Sequence, residues 1–227
     1  MVEHRLLHSF PAEDNNGLLT YGGSQLLSDS AVIRKCGCGV VAAADLLLYL
    51  HRHRRGCTAE IFHRYSAERP VDLSDYNQIL KTLCRRYFPL TPPVGINGLG
   101  LCYGLNRFFK QNAINLYARW GVSYRRLWSS IERMIDSDIP VIFAVGPNFP
   151  QVWQNDTTGL YTRLPNGSYK KIGAVKAHFM SVTAISDMWL TVSSWGHKYY
   201  INRPEYENYV KTHSSKLVCN IVYIEPR

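Results

Sequence analysis

The stretch that most constrains this chain is Cys36-Gly37-Cys38-Gly39-Val40-Val41-Ala42-Ala43-Ala44-Asp45-Leu46-Leu47-Leu48-Tyr49-Leu50. Two thiols and two glycines form a tight start where backbone can approach other atoms closely. An apolar run follows, small residues first and large ones after, and Asp45 alone interrupts it. Its length and its Ala/Leu content predict a buried helix rather than a strand. A cysteine at the mouth of such a helix meets unpaired N–H groups and the positive end of the dipole, which are expected to stabilise a thiolate and lower the thiol pKa. A buried structural role is the alternative, since free cysteine packs as a small hydrophobe.

The 227 residues suffice for a substantial core, and 46% hydrophobic with 19% charged residues is the balance of a globular protein. The N-terminus lacks the apolar core of a signal peptide, and no run approaches the roughly 18 apolar residues that cross a bilayer. The expectation is a soluble, cytoplasmic protein without membrane association. Its six cysteines are scattered and form no CxxC pair, which fits reduced thiols and argues against a disulfide scaffold. Cys36 and Cys38 have no second pair to complete a zinc site, so no metal is expected. The net charge of +9 is densest at His51-Arg52-His53-Arg54-Arg55, directly after the core helix, where cations complement the dipole. The remaining charge is dispersed, which argues against a nucleic-acid partner and leaves an acidic substrate or partner open.

Residues 1–35 read as an irregular lead-in punctuated by Pro11, Asn15-Asn16-Gly17 and Tyr21-Gly22-Gly23. Helical periodicity is expected over Leu73 to Phe88, Leu101 to Asn112 and Trp128 to Ile135, with a weaker amphipathic stretch over Ala59 to Tyr65 and a short extended piece at Val122-Ser123-Tyr124. From Val141 onward the chain is strand-rich. Val141 to Val145 is β-branched, and Tyr161 to Lys171 suggests a hairpin turning at Pro165-Asn166-Gly167. His178 to Ile185 and Trp189 to Ser193 suggest a second hairpin. Tyr199 to Ile201 and Leu217 to Ile224 add strands around a helix near Pro204 to Lys211. Helices first and a sheet after, without βαβ alternation, predict an α+β fold with helices packed on an antiparallel sheet.

Cysteine catalysis needs a base for the thiol, a group that orients the base, and donors for an oxyanion. His178, opening the strand Phe179-Met180-Ser181-Val182-Thr183-Ala184-Ile185, is the best-placed base among the eight histidines. Four segments together resemble the papain-like cysteine peptidase superfamily, closest to its bacterial branch related to bacteriocin-leader (double-glycine) peptidases. Cys38-Gly39-Val40-Val41-Ala42-Ala43-Ala44 is similar to the nucleophile motif of that branch. Ile131 to Val145 is similar to its helix-then-strand segment. Ala177-His178-Phe179-Met180-Ser181-Val182-Thr183 is similar to its His-x-x-x-Val-Thr strand, and Ser193-Ser194-Trp195-Gly196 to the Asn-Ser-Trp-Gly strand end.

The resemblance implies one papain-like domain over 1–227 and roles residue by residue. Cys38, rather than Cys36, matches the nucleophile, and His178 the general base and later acid. Ser193 stands where the family has the orienting Asn. A serine there leaves open a different third residue, a dyad or a site without turnover. The oxyanion donor would be Gln25, delivered by a longer loop than the family uses, with the Cys38 N–H beside it. Trp195 would cover the orienting group and shield the histidine. The implied activity is hydrolysis of an amide, most directly a peptide bond, through a Cys38 thioester and without a cofactor. The substrate would be a peptide, a protein or a small amide. The alternatives are an acyl- or peptidyl-transferase at the same site, and an inactive binding module that keeps the fold.

Overall fold

In the computed structural model, residues 3–10, 13–15, 17–65 and 69–227 are described; Pro11 and Asn16, read above as punctuation, lie outside them. In chain order the elements are β1 (Glu3–Arg5), β2 (Glu13–Asn15), β3 (Leu18–Leu19), α1 (Ala31–Cys36), α2 (Cys38–His53), β4 (Val71–Asp72), α3 (Leu73–Arg86) and α4 (Gly98–Gln111). There follow β5 (Leu116–Trp120), α5 (Leu127–Asp136), β6 (Val141–Val145), β7 (Thr158–Arg163), β8 (Tyr169–Val175), β9 (His178–Ser186), β10 (Trp189–Ser194), β11 (His197–Asn202), α6 (Arg203–His213) and β12 (Ile221–Pro226).

The expected α+β architecture is present: helices pack on a large antiparallel sheet ordered β5-β12-β6-β9-β10-β11-β7-β8, with β1 also paired to β9. A small second sheet joins β3, β2 and β4. Strand β9 organises the large sheet. It is held by β6 on one side and β10 on the other, and nearly all of it is buried. Helix α2 packs across β9 and β6 and against α3 and α4. Its residues from Gly39 to Leu50 are all buried. An apolar surface this complete needs cover on every side, and the sheet and the two helices supply it.

Both expected hairpins form. The first turns through Leu164–Ser168, and the second joins β9 to β10. Two local expectations are corrected. Ala59 to Tyr65 holds only a short 3-10 turn at Glu60–Phe62. Val122-Ser123-Tyr124 is not a strand, since a 3-10 turn begins at Tyr124. The strand lies earlier, at β5, where Leu116 and Ala118 are buried and alternate with exposed Tyr117 and Arg119. Among the described residues, no helix is long and apolar enough to cross a membrane.

Candidate active site

Helix α1 ends at Cys36 and α2 begins at Cys38, so Gly37 alone separates them and Cys38 is the first residue of the long buried helix. Cys36 also lines the cleft walled by Cys38 and His178, with its thiol donating to the Val32 carbonyl at 3.3 Å. His178 is the first residue of β9, in register with Val145 of β6. Cys38 and His178 therefore come from the ends of the two elements that pack face to face at the centre of the fold. A cavity of about 10 Å³ brings Gln25, Cys38, Asp45, His178, Ser194 and Trp195 to common walls. Beside it a cleft of about 520 Å³ is also walled by Gln25, Cys38 and His178, and continues along Ile96, Leu99, Trp120, Phe179 and Val218.

The serine that meets the imidazole is Ser194, not Ser193. The Ser194 hydroxyl lies 2.7 Å from His178 Nε2, whereas Ser193 donates its hydroxyl to the Tyr21 carbonyl at 2.6 Å. Successive residues of a strand face opposite sides, so only one of two adjacent serines on β10 can meet the imidazole. The bond occupies Nε2 and leaves Nδ1 as the ring nitrogen outside it.

Trp195 covers the imidazole, with ring centroids 4.4 Å apart and planes 24° apart. Its backbone explains how. Ser194 pairs with His197, which leaves Trp195 and Gly196 as a two-residue hairpin loop, both at positive φ (+50° and +78°). Such loops match the right-handed twist of their strands and demand left-handed conformations at both positions. Ala177, immediately before His178, is likewise at φ +48°. Thus two of the four non-glycine residues at positive φ among the described residues flank the histidine and its orienter, the placement expected of a functional site.

Gln25 is 8% exposed and lines both the small cavity and the cleft. One amide hydrogen is given to the Arg34 carbonyl at 2.9 Å, and a carboxamide carries a second.

Electrostatically the site departs from the expectation of a lowered thiol pKa. Burial pushes the Cys38 thiol up, although the N–H groups of Phe179 and Gly39 pull it back. Burial also pushes the His178 imidazole down, to about 4. Desolvation disfavours both charged forms. The resting pair is a neutral thiol and a neutral imidazole.

Sequence reasoning did not single out Ser194, although the strand alternation that selects it was readable. Asp45 was noted only as an interruption of the apolar run. It is buried, accepts from Gly23 N–H and Tyr76 O–H, and its carboxyl is pushed up to about 7 by burial, with those two donors opposing the shift. Among the described residues no cluster of three or more His, Cys, Asp or Glu side chains could hold a metal ion. Comparison with protein-family models, with curated proteins and with solved structures finds no match to this chain.

Proposed function

We propose that this chain is a cysteine hydrolase of papain-like type that cleaves an amide, with a peptide bond as the primary target. The observation that carries the reading is one wall of one cleft shared by a helix-initiating thiol, Cys38, and a buried imidazole, His178, whose Nε2 is bound by Ser194 and whose face is covered by Trp195. A nucleophile, a base and a group bonded to that base along one cleft are the parts that covalent acyl transfer requires.

His178 Nδ1 takes the proton of the Cys38 thiol as sulfur attacks the carbonyl carbon. The developing oxyanion is met by the Gln25 carboxamide and the Cys38 N–H at the positive end of α2. Collapse to the thioester expels the amine, which takes its proton from His178. Water, deprotonated by the same imidazole, then releases the acid. The apolar lining beyond Cys38 favours substrates with an apolar side chain beside the scissile amide.

A second reading has its own observation. Ser194 is uncharged and the resting pair is neutral, which favours an inactive module that binds extended peptides in the same cleft. Cleavage of a peptide library read by mass spectrometry separates the two. The hydrolase reading expects products from the wild-type protein and none from Cys38→Ala or His178→Ala. Products that survive Cys38→Ala overturn it, and binding without cleavage by wild type establishes the module instead.

A further inference from the structure

We propose that Asp45 is a positioning residue for this site: its buried carboxyl group holds the Gly22–Gly23 loop against α2 and so fixes where Gln25 meets the Cys38 cleft. The inference rests on the reading of Cys38 as a nucleophile.

A carboxylate within an otherwise apolar helix face is costly unless it is hydrogen-bonded on both oxygens. Asp45 is 1% exposed, and its hydrogen bonds go to two places. Gly23 N–H lies 3.0 Å from Oδ1 and 2.9 Å from Oδ2, and the buried Tyr76 hydroxyl of α3 donates to Oδ1 at 2.6 Å. The loop is shaped to this carboxylate. At Gly22 (φ +71°) a Cβ would stand 2.2 Å from Ser193 Oγ and 2.7 Å from Asp45 Oδ2, and at Gly23 it would stand 2.0 Å from the Tyr76 hydroxyl oxygen. No residue with a side chain fits at either place without displacing the loop or the buried side chains packed on it.

The other side of the same loop is tied to the strand end that orients the histidine. Gly196 N–H donates to Gly23 O at 3.0 Å, and Tyr21 N–H to Gly196 O at 2.7 Å. Ser193 donates to Tyr21 O. Gln25 opens the 3-10 turn Gln25–Leu27 directly after this pinned segment. The role of Ser193 follows as well: it anchors the loop rather than the imidazole. Asp45 lines the small cavity with Cys38 and His178, but its hydrogen bonds go to Gly23 and Tyr76, so its proposed effect passes through the loop that leads into Gln25.

The test uses acetyl-leucyl-leucinal as probe. Its carbonyl carbon bonds to Cys38 Sγ, the C=O π bond opens, and the thiol proton passes through His178 to the new oxygen, giving a hemithioacetal whose oxygen sits where the oxyanion would. Iodoacetamide alkylates the same sulfur with loss of iodide and needs no oxyanion donor. Asp45→Asn replaces one of the two acceptor oxygens that face Gly23 N–H with an amide donor. Gly22→Ala displaces the loop while keeping the carboxylate, and it carries the test if Asp45→Asn fails to fold. For each of these variants, and for Gln25→Ala, the aldehyde should bind about tenfold or more weakly, with iodoacetamide rates within about twofold of wild type. The Asp45→Asn/Gln25→Ala double variant should lose no more than Gln25→Ala alone. Backbone hydrogen exchange over Tyr21–Gln25 should quicken in Asp45→Asn while β9 and β10 stay unchanged. Unchanged exchange at that segment, or additive losses in the double variant, would overturn the proposal. If wild type forms no hemithioacetal, the hydrolase reading falls, and the exchange comparison alone still decides whether Asp45 holds the loop.

Discussion

The His178 imidazole lies nearly face to face with the Trp195 indole, 4.4 Å between ring centroids, while its edge meets the Ser194 hydroxyl. One two-residue turn therefore supplies the cover, and the residue before that turn supplies the orienting bond. Removing the indole opens the ring to water. For Trp195→Ala the expected cost in stability is up to about 3–5 kcal/mol, towards the low end because the indole is only partly buried. The His178 pKa should rise from about 4 towards its ordinary value of 6.5. An NMR titration of the folded variant reads this directly. An unmoved titration would reduce Trp195 to a packing residue.

The two serines of β10 bond to different partners, Ser194 to the imidazole and Ser193 to the Tyr21 carbonyl. Ser194→Ala removes the single orienting bond at Nε2, worth about 1–1.5 kcal/mol, so turnover should fall about tenfold with little change in KM. Ser193→Ala releases the Tyr21 carbonyl and should act on the loop instead, seen as faster exchange at Tyr21–Gln25. The reverse assignment, with turnover lost only in Ser193→Ala, would restore the motif-based expectation.

A neutral resting pair has its own pH signature. Because burial raises the Cys38 thiol and lowers the His178 imidazole, the sulfur is not ionised in mildly acidic solution. The rate of iodoacetamide alkylation at Cys38 should climb steadily with pH through the neutral range, since thiolate is the reacting form. A plateau that begins in the acid range would show a thiolate–imidazolium pair and contradict this description.

How much of this was legible in the sequence depends on the kind of evidence each residue offered. The buried helix from Cys38 was readable because its composition allows little else, and His178 because a strand rich in β-branched residues follows it. Ser194 was missed because the motif was aligned by residue position from Trp195, whereas strand alternation chooses between neighbours by face. The thiol pKa was misjudged because the helix terminus is visible in sequence, but the depth of the cleft is set by elements that pack from far along the chain. Strand β5 escaped notice between two stronger helical patterns, although Leu116 and Ala118 alternate correctly. Asp45 could be seen as an anomaly. Its partners Gly23 and Tyr76 come from separate segments that only the folded chain brings together.

Asp45 makes a stability prediction with a definite sign. Its carboxyl is pushed up to about 7 from an ordinary 3.8, so between those values the folded protein keeps a proton that the unfolded chain has released. Stability contributed at this position therefore falls as pH rises from about 4 to about 7 and is level above. Asn carries no such proton. The melting temperature of Asp45→Asn relative to wild type should move in the variant's favour across that window, whatever the constant offset. Parallel curves would show that Asp45 titrates alike in the folded and unfolded chains.

The central claim is that His178 activates Cys38 for attack on a carbonyl. Acyl-enzyme trapping tests it most directly. The protein is mixed with p-nitrophenyl acetate, quenched in acid and mapped by peptide mass spectrometry, with nitrophenolate release followed in parallel. The account predicts a burst of nitrophenolate and an acetyl thioester on Cys38 ahead of the other five cysteines. In His178→Ala the rate of Cys38 acylation should be about a hundredfold or more slower. Acetylation of Cys38 at the same rate with and without His178, or no preference for Cys38 over the remaining thiols, would contradict it.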